Sequence, residues 1–146
     1  EVGFRYIPNG IPGLETRMPL LYSEGVLKGR ITVNKFVELT STNAAKAYGL
    51  HPRKGTIAIG ADADLVIWDT DLDRTLRNVD LHHAVDYTPY EGQQIQAWPR
   101  VTLSRGRVVW REGQYLGQAG HALDDLGALG EAFGAVDLGG VEVQTV

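Results

Sequence analysis

The chain has 146 residues with 43% hydrophobic content, the size range of one domain and enough to bury a core. A net charge of -4, a pI near 5.5 and scattered basic residues offer no basic stripe, which argues against a nucleic-acid partner. Without cysteine there is no disulfide framework and no thiolate site. The opening Glu1-Val2-Gly3-Phe4 has no basic n-region, and no stretch approaches the roughly eighteen apolar residues of a membrane span, so no membrane association is expected and the default compartment is the cytoplasm.

In chain order, Tyr6 to Gly13 holds two prolines and two glycines in eight residues and reads as a shaped loop. Leu14, Met18, Leu21, Tyr22 and Val26 are spaced for one amphipathic helix over 14–27, with Gly29 as its stop; Pro19 suggests a late start. Thr32 is a candidate N-cap for a second helix, whose Val33, Phe36, Val37 and Leu39 share a face. Ser41-Thr42-Asn43 then reads as the cap of a third helix, Ala44 to Tyr48, closed by Gly49.

After the His51-Pro52 break the period changes. Thr56-Ile57-Ala58-Ile59 ends at Gly60, and the mostly apolar run Ala63 to Trp68, between Asp62 and Asp69, predicts a well-buried strand. Thr75-Leu76-Arg77 is a weaker strand candidate. Arg100 to Arg105 and Val108-Val109-Trp110, turning at Gly106 and followed by Gly113, carry a hairpin signature. Beyond Arg111 there is no Lys or Arg, and seven of the eighteen glycines fall from Gly117 onward. That tail is a poor isolated helix and, over Leu126 to Val141, a poor strand.

Several strings in this order resemble the dihydropyrimidinase and hydantoinase family. They are Ile7-Pro8-Asn9-Gly10, Glu15-Thr16-Arg17-Met18, Thr40 to Lys46, Pro52 to Ile57, Gly60 to Asp69 and Tyr87-Thr88-Pro89-Tyr90-Glu91-Gly92. The resemblance covers roughly residues 4–118. It implies an α/β parent, a TIM barrel with a β-sandwich, of which this chain would be the last barrel helices and the C-terminal sandwich strands. Residues 1–49 would end the barrel, 50–116 would belong to the sandwich, and 117–146 would form a glycine-rich tail that departs from the family pattern after Gly120.

The resemblance also implies a hydrolase opening cyclic amides or imides with two zinc ions bridged by a carboxylated lysine, in a homo-oligomer, tetramer or dimer. Its metal ligands would all lie upstream of Glu1. This chain alone is therefore expected to hold no zinc, to provide no catalytic residue and to be inactive. Asn9 is the side chain the resemblance takes to the substrate's amide edge, with Gly10 allowing close backbone approach. From local sequence alone, Asn-Gly is a turn dipeptide.

The remaining candidates read as structural. His82 and His83, being adjacent, point apart in a strand and splay in a helix, so they do not chelate as a pair. Asp62 and Asp64 read as backbone anchors at a strand entrance, Glu15 and Arg17 as scaffold at a helix start, and Tyr87, Tyr90 and Trp98 as sandwich packing. Ser41 and Ser104 have no nearby histidine in sequence to act as base. Two rival readings stay open: a non-enzymatic, collapsin-response-mediator-like adaptor of the same family, against which the retained Asn9 speaks, and an independent small assembly domain.

Overall fold

The computed structural model describes residues 10–118 and the backbone of 142–145. Helix α1 spans Leu14–Leu21 and widens without a break into a π-helical stretch, Tyr22–Leu27. The helix starts at Leu14 despite Pro19. The proline lacks one backbone donor, but its ring is fully buried, and that packing offsets the missing bond. Gly29, at φ +68°, turns the chain out of the helix.

Helix α2 (Val33–Val37) begins as expected, with the Thr32 hydroxyl accepting from the Lys35 amide at 3.1 Å. The expected cap at Ser41-Thr42-Asn43 does not form. The chain instead stays helical through a π-helical stretch, Glu38–Thr42, into α3 (Asn43–Ala47). The hydroxyls there serve other carbonyls: Thr40 donates to Phe36 O at 2.7 Å, and Thr42 to Gly55 O at 2.8 Å. Gly49 closes this helix at φ +67°.

Thr56 to Ile59 forms no strand, and Ile57 and Ile59 are exposed. Strands β1 (Leu65–Asp69), β4 (Trp98–Ser104), β5 (Arg107–Arg111), β6 (Gln114–Tyr115) and β7 (Glu142–Thr145) make one antiparallel sheet in the order β6-β5-β4-β1-β7. Two short strands, β2 (Arg74–Thr75) and β3 (Gln94–Ile95), pair separately. The two hairpin turns follow one recipe. Arg105-Gly106 and Glu112-Gly113 both have positive φ at each central residue, the arrangement whose twist matches paired strands. The β1–β4 register slips at Pro99, which has no donor for the ladder.

The core is where helices and sheet meet. The Tyr22 ring stacks on Trp68 at 5.2 Å, and Phe36 meets both rings edge-on, at 5.0 Å and 5.9 Å. Ala97 completes the buried cluster, with Met18, Leu21, Val26, Ile31 and Val66 packed around it. Ser23 ties the layers together, its buried hydroxyl accepting from the Gln96 and Ala97 amides, both at 3.1 Å. The helical segment thus finds its main apolar partner in the β1 face.

Candidate functional site

Gly10 is the first described residue and sits exposed ahead of α1; Asn9 lies outside the described residues. Among the described residues nothing lies within 4 Å of where a Cβ on Gly10 would stand. The Gly10 carbonyl accepts a hydrogen bond from the Tyr87 hydroxyl at 3.1 Å. Five residues on, in the first turn of α1, both carboxylate oxygens of Glu15 are engaged by His82. The His82 amide donates to Oε2 at 2.8 Å, and its Nδ1 lies 2.9 Å from Oε1.

The His82 ring also meets Trp110 edge-on at 5.1 Å. Around these contacts lies a largely apolar groove of about 730 Å³, bordered by Leu14, Met18, His82, Trp98 and Trp110. Strand β5 brings Trp110 to it through an irregularity in the β4–β5 register, and Arg74 stacks its guanidinium 4.1 Å from the Trp98 ring centre. Tyr87 and Trp98 therefore do more than fill a sandwich interior: the first reaches the loop and the second carries a cation.

The two histidines point to different partners, as their adjacency suggests, and the acids follow expectation in part. His83 faces Asn78 Oδ1 at 2.8 Å while His82 faces Glu15, so the two rings serve different partners. Asp64 accepts from the Arg105 amide at 2.8 Å and from Lys54, while Asp62 receives Lys54 at 3.0 Å. Burial works against the Lys54 ammonium, but its hydrogen bonds to Asp64 and Asp62 outweigh that and hold its pKa above the ordinary 10.5. Asp64 thus anchors backbone as expected, whereas the Asp62 side chain pairs with the cations Lys54 and Arg53 instead. Among the described residues no three His, Cys, Asp or Glu side chains gather where they could share a metal ion, so the donors present do not fit a metal centre.

The sequence reading missed Ser23 and the bracing by His82 and Tyr87. Tyr87 lay inside one of the quoted strings, yet nothing in the string indicates a contact to a residue 77 positions away.

Residues 5–109 match the Amidohydrolase family. The chain belongs to the amidohydrolase family. It is 51% identical over 118 residues to D-hydantoinase of Geobacillus stearothermophilus, covering 81% of this chain and 25% of that enzyme. It is 48% identical over 118 residues to dihydropyrimidinase of Rattus norvegicus, covering 81% of this chain and 23% of the relative. Its fold matches the D-hydantoinase of Bacillus sp. AR9 with a TM-score of 0.76 at 52% identity, over 80% of this chain and 26% of that one. An L-hydantoinase from Arthrobacter aurescens superposes with a TM-score of 0.72 at 37% identity, over 75% of this chain and 24% of that one.

The chain therefore spans about a quarter of the length of the curated relatives it matches. Its fold is that of the corresponding part of these TIM-barrel amidohydrolases, as the quoted strings imply. The amidohydrolase family is metal-dependent. Among the described residues no helix is long and apolar enough to cross a membrane.

Proposed function

We propose that this chain is the C-terminal part of a hydrolase that opens cyclic amides or imides of the hydantoin and dihydropyrimidine classes. The observation that carries the reading is 51% identity to a D-hydantoinase over 118 residues, 81% of this chain. The enzyme names of the relatives reported above favour it over the adaptor alternative. In this reading residues 1–49 close the barrel, 50–116 build the sandwich and 117–146 form an appended tail.

The work of the chain's own residues is orientation. Asn9 hydrogen-bonds the amide edge of the ring, and Gly10 lets the backbone come close without a side chain in the way. The two zinc ions that the resemblance implies would take their ligands from elsewhere in the barrel. The assembled enzyme works in the cytoplasm as a homo-oligomer, tetramer or dimer.

The test is a chimera carrying this chain behind the first three quarters of the Geobacillus stearothermophilus D-hydantoinase. It should open the ring of hydantoin or dihydrouracil, and Asn9→Ala should lower kcat/KM by about tenfold to a hundredfold, the range for one lost hydrogen bond to a bound polar edge. A folded, metal-loaded chimera that opens neither ring would reject the reading.

A further inference from the structure

We propose that His82 and Tyr87 are positioning residues for the substrate loop: the segment from residue 81 to 88 is a brace that fixes the loop and the start of α1 from outside. The inference rests on the hydrolase reading for what the loop does, and on the structure for how it is held.

The brace has a rigid base. The Leu76 side chain is fully buried, and its backbone is bonded both ways, Leu76 N to Gln93 O and Gly92 N to Leu76 O, each at 2.9 Å. The Asn78 amide donates to Glu91 Oε2 at 2.7 Å, and His83 sits on the Asn78 carboxamide at 2.8 Å. Both ends of the excursion from 78 to 92 are therefore pinned to the β2–β3 pair. From it project contacts to residues 67 and 77 positions earlier: His82 to Glu15 and Tyr87 to Gly10.

These contacts fall at the two places that set the loop's path, one at Gly10 and the other in the first turn of α1. Between them the chain is Ile11-Pro12-Gly13, which forms no regular element. Held at one end only, Gly10 would sample many conformers, and a substrate contact at this loop would lose its orientation. The bonds are unequal. The His82 ring is 61% exposed, so its pairing with Glu15 is screened by water. The bond from the His82 backbone amide to the Glu15 carboxylate is charge-assisted and independent of the ring's protonation, and it carries more of the hold.

The experiment has two parts. In hydrogen exchange on the whole 146-residue chain, Tyr87→Phe should speed exchange severalfold across residues 10–13. Glu15→Ala should unprotect the His82 amide, and Glu15→Gln, which keeps a carbonyl acceptor, should restore most of that protection. In the active chimera, Tyr87→Phe and Glu15→Ala should raise KM severalfold with kcat per metal-loaded site little changed, and Glu15→Gln should stay near the unmutated value.

A purely structural role would lower melting temperature and yield while leaving KM alone, and that result would overturn the proposal. Unchanged exchange in both Tyr87→Phe and Glu15→Ala would overturn it as well. If the unmutated chimera folds and is inactive, the hydrolase reading is what fails, and the exchange data on the chain itself decide the brace.

Discussion

Lys54 illustrates how much one half-buried cation can hold. Its side chain is 24% exposed, and its ammonium joins the Asp62 side chain, 22% exposed, to that of Asp64, 16% exposed, whose other oxygen holds the Arg105 amide of the β4–β5 turn. Lys54→Met removes the cation that Asp64 and Asp62 share and leaves Asp62 only Arg53 at 3.6 Å, and a loss of about 1–3 kcal/mol in unfolding free energy is expected by urea denaturation at pH 7. The pH dependence has a definite sign. The folded pKa of Lys54 lies above 10.5, so the stabilisation is complete below that value and is lost as pH rises through the folded pKa. The difference between wild type and Lys54→Met should hold steady from neutral pH to about 9 and shrink by pH 11. Thr16 offers the opposite case. Its hydroxyl is buried and has no hydrogen-bond partner among the described residues, so Thr16→Val should be neutral or stabilising by about 1 kcal/mol, read as a rise in melting temperature.

At the level of elements, the junction between α3 and the sheet depends on Gly55. It lies at φ +76°, and a Cβ there would stand 2.6 Å from Ala45 Cβ and 3.1 Å from Thr42 Cα. Backbone on one side and a side chain with no rotamer freedom on the other leave nothing that can swing away. Gly55→Ala should cost about 1–3 kcal/mol by urea denaturation, and adding Ala45→Gly should recover only the part due to the clash. Elements of this kind were unevenly legible. Thr32 and the Gly106 turn announced themselves because capping and hairpin geometry are local and select specific residues. The run from Val37 to Ala47 misled because Ser41-Thr42-Asn43 is a cap signature whose Thr42 hydroxyl is claimed by the Gly55 carbonyl, a tertiary choice that no local pattern records. Strand β7 was readable in the alternation Val141-Glu142-Val143-Gln144, but the glycines before it dominated the composition. The Asn9-Gly10 loop came through resemblance, while its brace, spanning 67 and 77 residues, had no sequence signal at all.

For the molecule as a whole, the balance of covered and uncovered apolar surface is the informative quantity. One aromatic cluster joins helices and sheet, yet Leu14 is 86% exposed, Val79 85% and Ile59 fully exposed, and the groove beside α1 opens onto Met18, Trp98 and Trp110. Soluble monomers seldom leave such surface contiguous without a partner for it. In the hydrolase reading the partner is the remainder of the barrel; in the assembly-domain reading the chain is self-sufficient. The two differ in a measurement on the purified chain. If the groove is a face awaiting the barrel, the 146-residue chain should bind a hydrophobic dye such as ANS strongly and self-associate as its concentration rises, and the chimera should show much less dye fluorescence per mole. A dye-silent monomer with a single cooperative thermal transition would instead show that the exposed side chains are too scattered to make a docking face, and would move the weight to the assembly-domain reading.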